Sequence, residues 1–136
     1  MLSCQKESGS DYIIFGTSAC ECLGKCIVLY KLDDVHLYKM SNKVQYCTRP
    51  SSINWMQQPD SSFKKASVLK QNTPTILKEK GGTVGCPDCA DQGTVIFEIK
   101  KSSGDVNWRL DPWMRRSSTS RFSDAIATVE SVLGSL

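Results

Sequence analysis

Cysteine is the residue type whose spacing in this chain could do chemistry. Of the seven cysteines, Cys4 stands alone near the start, Cys20, Cys22 and Cys26 cluster, Cys47 is isolated, and Cys86 and Cys89 close a CPDC element. Three chemistries fit them. The first is disulfide bonding among Cys20, Cys22, Cys26, Cys47, Cys86 and Cys89, whose pairing spacing alone does not choose. A bridge joining the Cys22/Cys26 element to the Cys86/Cys89 element closes a loop of roughly 65 residues and stabilises by about 4 kcal/mol, against about 2 kcal/mol for a local bridge. At least one bridge between the two elements is therefore expected. The second chemistry is a structural zinc site of four thiolates, Cys22, Cys26, Cys86 and Cys89, because tetrahedral zinc takes paired ligands from two turns. CxxxC fits that pattern less well than CxxC, and the interval between the pairs is far longer than in compact zinc modules. The third is thiol redox catalysis at CPDC. Such enzymes place the first cysteine at a helix N-terminus, where the dipole favours the thiolate, whereas here the motif leads through Ala90, Asp91, Gln92 and Gly93 into a strand.

Other catalytic machinery lacks its residues. The single histidine, His36, sits between Val35 and Leu37 and reads as a solvent-facing strand residue, so a triad or a histidine-rich metal site would rest on it alone. Nucleophile elbows, zincin helices and phosphate loops have no counterpart in the sequence. Asp88, Asp91, Asp105 and Asp111 lack calcium-loop spacing and read as turn formers. Trp113 with Arg115 and Arg116 has the composition of a contact patch, since Trp and Arg are enriched where binding energy concentrates. No catalytic residue, metal or cofactor is expected.

These groups must be positioned by strands and helices. Residues 11–17 and 26–32 are rich in Ile, Val, Tyr and Phe and read as strands. Asp33 and Asp34 suit a turn into a further strand over 35–40, and residues 48–58 read as loop. From Pro59 the pattern turns helical, with Phe63, Ala66 and Leu69 at helical spacing to about Gln71. Thr73 and Pro74 repeat the cap signal for a second helix that stops at Gly81 and Gly82. Val95, Phe97 and Ile99 alternate with polar neighbours, as do Val106, Trp108 and Leu110, giving an antiparallel hairpin about the turn 102–105. Ser120 is the expected cap of a last helix whose Phe122, Ile126, Val129 and Leu133 form one stripe. The fold class that accommodates this order is α+β: an antiparallel sheet with helices packed on one face, stapled by disulfides.

The chain of 136 residues fits one core, so 11–136 is read as a single domain and 1–10 as a tether. Hydrophobic residues are 40% of the chain, which excludes a wholly disordered protein, and the net charge of only +3 argues against a nucleic-acid partner. No apolar run approaches the roughly 20 residues of a spanning helix. A small residue before Cys4 and a wholly polar stretch after it look like the end of a bacterial lipoprotein signal. Lipidation of Cys4 is the corresponding expectation, with the domain folding where disulfides persist.

Two elements carry a resemblance: Phe15 and Gly16 through Cys22-Leu23-Gly24-Lys25-Cys26, and Gly85-Cys86-Pro87-Asp88-Cys89-Ala90-Asp91-Gln92-Gly93 through Glu98. Together they resemble a group of small secreted bacterial domains with CxGxC and GCPDCADGG elements; this chain departs at Gln92, where the group has Gly. The resemblance covers most of the chain outside 41–58. It implies an extracytoplasmic α+β domain and supplies no catalytic residues. The resulting expectation is a non-catalytic binding or structural module of the bacterial envelope. It would be held to the membrane only through a lipid anchor, and its partner would be a protein or another envelope component. A zinc-stabilised or thiol-redox protein is the alternative.

Overall fold

The structure, a computed structural model, describes residues 11–22, 26–44, 47–117 and 120–136. Cys4 and the rest of the expected tether 1–10 lie outside the described residues. The strands are β1 (Tyr12–Ser18), β2 (Ile27–Leu32), β3 (Leu37–Met40), β4 (Trp55–Gln57), β5 (Gly82–Val84), β6 (Thr94–Lys100) and β7 (Val106–Leu110). The helices are α1 (Asp60–Gln71) and α2 (Ser123–Ser135). One seven-stranded sheet runs β4-β3-β2-β1-β6-β7-β5, and the fold is α+β. Every neighbouring pair is antiparallel except β5 with β7, which is parallel.

The sheet has a buried core on each face. On one face Phe15, Leu32, Phe97 and Leu110 meet Ala66 and Leu69 of α1 and Ala125, Ile126, Val129 and Val132 of α2. Both helices thus cover the same face, because each is apolar on one stripe only and must bury it against the sheet. Val106, Trp108 and Leu110 are buried there while Asn107 and Arg109 between them are exposed, the alternation of a half-covered strand. On the other face Ile14, Ile27, Leu29 and Met40 are buried, with Val44, Ile53, Trp55 and Ile96 packed around them. Residues 41–44 and 47–54 supply part of that cover and act as a strap. Arg49 ties it down, its guanidinium donating to both carboxylate oxygens of Glu98 at 2.5 and 3.1 Å. In the centre of the sheet, a Cβ on Gly16 would fall 1.9 Å from the Val28 carbonyl oxygen, so only glycine permits this approach of β1 to β2.

Several local expectations are corrected. Residues 48–58 are not all loop, since β4 forms within them and closes one edge of the sheet. The second helix expected after Thr73 is a single 3₁₀ turn, Thr75–Lys78. The strand expected from Val35 begins at Leu37, because the Asp33 carboxylate accepts the N–H groups of Val35 and His36 and holds both in a turn. His36 is therefore a half-buried turn residue rather than a strand residue, with its ring edge-on to Tyr38. The last helix starts at Ser123; Ser120 stands outside it, its hydroxyl accepting the Phe122 N–H at 3.2 Å.

Among the described residues the cysteines form three disulfides: Cys20–Cys47, Cys22–Cys26 and Cys86–Cys89. The bridge expected between the Cys22/Cys26 and Cys86/Cys89 elements is not made. Those elements lead into β2 and β6, which flank β1 on opposite sides. Two strand spacings of about 4.8 Å separate the flanking strands, beyond the roughly 7 Å between Cα atoms that a disulfide tolerates. Each element closes on itself instead, and the long-range staple is Cys20–Cys47, which fastens the strap to the end of β1. The disulfides suggest an oxidising, extracytoplasmic environment. No helix among the described residues is long and apolar enough to cross a membrane.

Candidate functional site

The strand directions gather the chemistry-bearing residues at one end of the sheet. Ser18 at the end of β1 pairs with Ile27 at the start of β2 and Thr94 at the start of β6. Leu110 at the end of β7 pairs with Val95, and Val84 at the end of β5 lies beside Leu110. The connections holding all three disulfides therefore emerge together, and so does the chain after β7. The hairpin turns 33–36 and 101–105 lie at the opposite end, as does Asp11, where the chain enters β1.

Asp111 organises this end. It is 6% exposed and receives three groups. Its Oδ2 accepts the Cys86 N–H at 3.0 Å, and its Oδ1 accepts Gln92 Nε2 at 3.0 Å and the Trp113 N–H at 2.9 Å. The first bond holds the CPDC loop, the second braces it through a side chain, and the third caps the 3₁₀ turn Pro112–Arg116. Pro112 at the first position of that turn loses nothing, since its missing N–H has no partner to make there. Gln92 is a structural member of the loop. Its amide also donates to the Cys86 carbonyl, and its oxygen accepts the Ala90 N–H. Gln92 thus braces the loop from within. Gly85, at φ +71°, must be glycine twice over, for a Cβ there would stand 2.7 Å from Asp111 Cβ as well.

Burial acts against the charged form of Asp111. The Gln92 amide and the Cys86 and Trp113 N–H groups outweigh it and hold the carboxyl below the usual aspartate value. The stability this carboxylate contributes is present above the pKa of an unfolded aspartate, about 4, and is lost as pH falls through the lower folded value. Asp111→Asn should therefore destabilise the protein at pH 7 and show a shallower loss of stability between about pH 4 and pH 2 than the native chain. Urea titrations at stepped pH measure this. Parallel curves for the two proteins would remove Asp111 from its assigned position.

Asp88 ties the loop to the first disulfide, with Oδ2 accepting the Cys20 N–H at 2.8 Å and Oδ1 the Gly93 N–H at 3.0 Å. Asp88 and Asp91 both take positive φ, which suits turn residues. Asp105 lies in the hairpin turn at the far end, 3.5 Å from Lys100 Nζ. No group of three or more His, Cys, Asp or Glu converges as a metal site among the described residues. Cys22, Cys26, Cys86 and Cys89, the alternative zinc set, are occupied in two disulfides. For thiol chemistry, Cys86 and Cys89 are exposed, but no helix begins at Cys86 and its backbone faces the Asp111 carboxylate. A nearby negative charge disfavours a thiolate.

Trp113 is 56% exposed on the 3₁₀ turn, while Met114 beside it packs toward the helix-covered core. Arg115 pairs with Glu130 of α2 at 3.0 Å, and its carbonyl accepts the Ser123 hydroxyl at 2.6 Å. Arg116 is exposed and makes no ion pair among the described residues. The indole and the two guanidinium groups thus stand on a turn fixed at both ends, by Asp111 before it and by α2 behind it. A depression of about 240 Å³ adjoins this turn between Pro112, Glu130, Gln92 and the end of β1. Asp111 is the residue that sequence reasoning missed as a member of the site. Its signal was Asp followed by Pro at the start of a short turn, which reads equally as an ordinary turn former. Comparison with family models, curated proteins and solved structures finds no match to this chain.

Proposed function

We propose that this chain is a non-catalytic binding domain of the bacterial cell envelope, tethered through a lipidated Cys4. It presents Trp113, Arg115 and Arg116 to a protein or another envelope component. The observation that carries the proposal is the exposure of Trp113 at 56% on a turn whose backbone is held by a buried carboxylate. An exposed indole beside two arginines offers an anchor with planar donors, and a turn ordered before binding loses little freedom when the partner arrives. The chain enters β1 from Asp11, at the end of the sheet opposite the turn, so an anchor at Cys4 leaves the Trp113 face open to a partner.

Immobilised wild type, Trp113→Ala and Arg115→Ala/Arg116→Ala proteins are compared for capture from envelope extracts of the native host, with thermal melts alongside. The expected result is a partner retained by the wild type and weakened by about 30-fold or more with Trp113→Ala, corresponding to about 2 kcal/mol. The melts should remain within about 2 °C of wild type. Equal capture by all three proteins would overturn the proposal.

A further inference from the structure

A second binding feature lies away from the Trp113 turn, at the edge of the sheet that β4 forms. β4 pairs with β3 on one side only. The Gln58 N–H donates to the Leu37 carbonyl and the Ser41 N–H to the Asn54 carbonyl, each at 2.8 Å. In an antiparallel ladder the residues bonded to a given neighbour recur at every second position, so Met56 also faces β3 while Trp55 and Gln57 direct their N–H and C=O groups away from the sheet. Those groups have no hydrogen-bond partner among the described residues. Free edges of this kind are ordinarily blunted by charge or by irregular backbone. The opposite edge is blunted in this way, since β5 follows Lys78, Lys80 and Gly81 and begins at Gly82, both glycines at positive φ. At β4 no charged residue occurs from Pro50 to Pro59, and the central Met56 is 58% exposed.

The two faces of this edge differ. The register Phe15–Tyr30–Lys39–Met56 puts Lys39 and Met56 on the face that the helices cover further in, and Trp55 and Gln57 lie with Tyr38 and Met40 on the other. From Val35 to Pro59 the chain has no acidic residue. Arg49 in that stretch is neutralised by Glu98, whereas Lys39 and Lys43 make no ion pair among the described residues. Lys39 Nζ lies 5.6 Å from the Tyr30 ring centroid, and its flexible four-carbon stem can turn toward an added strand. A strand that alternates acidic and apolar residues matches both faces at once, with its acidic side chains beside Met56 in reach of Lys39 and its apolar ones beside Trp55. We propose that the β4 edge binds a partner by strand addition, and that the partner is an extended peptide segment alternating acidic and apolar residues. Main-chain bonds to Trp55 and Gln57 hold it, and Lys39 selects its charge. A second copy of this chain would instead bring Lys39 toward its own counterpart. The proposal is independent of the partner assigned to Trp113.

The test uses the full chain and a fluorescein-labelled peptide of about eight alternating glutamate and valine residues, read by fluorescence polarisation. Two analogues accompany it. One has lysine for glutamate, and the other is N-methylated at its valines, which keeps the side chains and removes the N–H groups that face Trp55 and Gln57. Saturable one-to-one binding with Kd below about 1 mM is expected, with each analogue weaker by about tenfold or more. Lys39→Glu should weaken the glutamate peptide by about fivefold or more and tighten the lysine analogue. Gln57→Pro removes an outward donor without touching the ladder to β3 and should weaken the glutamate peptide by about tenfold or more, with a thermal melt to establish that it folds. Should it fail to fold, the N-methylated peptide decides on the native chain. Binding indifferent to N-methylation, to Gln57→Pro, to Lys39→Glu or to the sign of the peptide's charge would overturn the proposal. So would no saturable binding, or sedimentation showing that a second copy of the chain occupies the edge.

Discussion

Trp108→Ala is expected to lower the stability of the fold by about 4 kcal/mol, while Trp113→Ala changes it by less than about 0.5 kcal/mol. The two residues lie close in sequence, and their surroundings are opposite. Trp108 is 6% exposed, its ring tilts against Phe122 at 5.1 Å between centroids, and its Nε1–H donates to the Leu77 carbonyl at 2.9 Å. Truncation removes a large apolar body, opens a cavity under α2 and leaves a buried carbonyl without its donor, and these losses act in the same direction. Trp108→Phe separates them, since it keeps most of the ring and should cost about 1–2 kcal/mol for the lost hydrogen bond and volume. Urea unfolding of the three variants at neutral pH gives the comparison. A large loss with Trp113→Ala would make that residue part of the core and remove the anchor from the proposed site.

The second large effect is expected at the long-range disulfide. Replacing Cys20 and Cys47 together by Ala should cost about 3.5 kcal/mol, whereas opening Cys22–Cys26 or Cys86–Cys89 in the same way should cost about 2 kcal/mol each, because only the first closes a long loop in the unfolded chain. The folded state adds to the difference. Cys47 fastens the strap that covers Ile14, Leu29 and Ile96, and without it the Arg49–Glu98 pair and the packing of Val44 and Ile53 must hold that cover. Denaturant midpoints for the three double variants rank the bridges, and non-reducing peptide mapping of the wild type establishes the pairing. A Cys20→Ala/Cys47→Ala protein as stable as the local-bridge variants would mean that the strap contributes little to the core beneath it.

The parts of this fold that were legible in the sequence are those with a clean period. β6 and β7 alternate around a turn rich in small residues, and α2 carries a stripe at helical spacing; both segments folded as the stripes require. The strap and β4 were not legible, since three paired residues set no period. Burial of the sheet on both faces also hides alternation: Thr94 and Glu98 are as buried as Val95 and Ile99 because the strap covers their side. The disulfide pairing depended on which strands flank β1, a property of topology that loop-closure arithmetic ignores. At the candidate site, Trp113 stood out because it follows Pro112 and falls outside the alternation of β7. Asp111 did not, since two of the three donors that converge on it, Cys86 and Gln92, come from a sequence-distant loop.

The crowding of the three described disulfides at one end of the sheet gives the molecule a direction of failure. The cross-links restrain the connections near Ser18, Ile27 and Thr94, while the hairpin turns 33–36 and 101–105 at the other end are held by hydrogen bonds and ion pairs alone. Thermal opening of such a sheet proceeds as a zip drawn from its unlinked end, with amide protons exchanging first near those turns and last beside the cross-links. An oxidised molecule that has frayed in this way still keeps its disulfide-bearing loops gathered, and it re-closes from a nucleus that the covalent bonds have preserved.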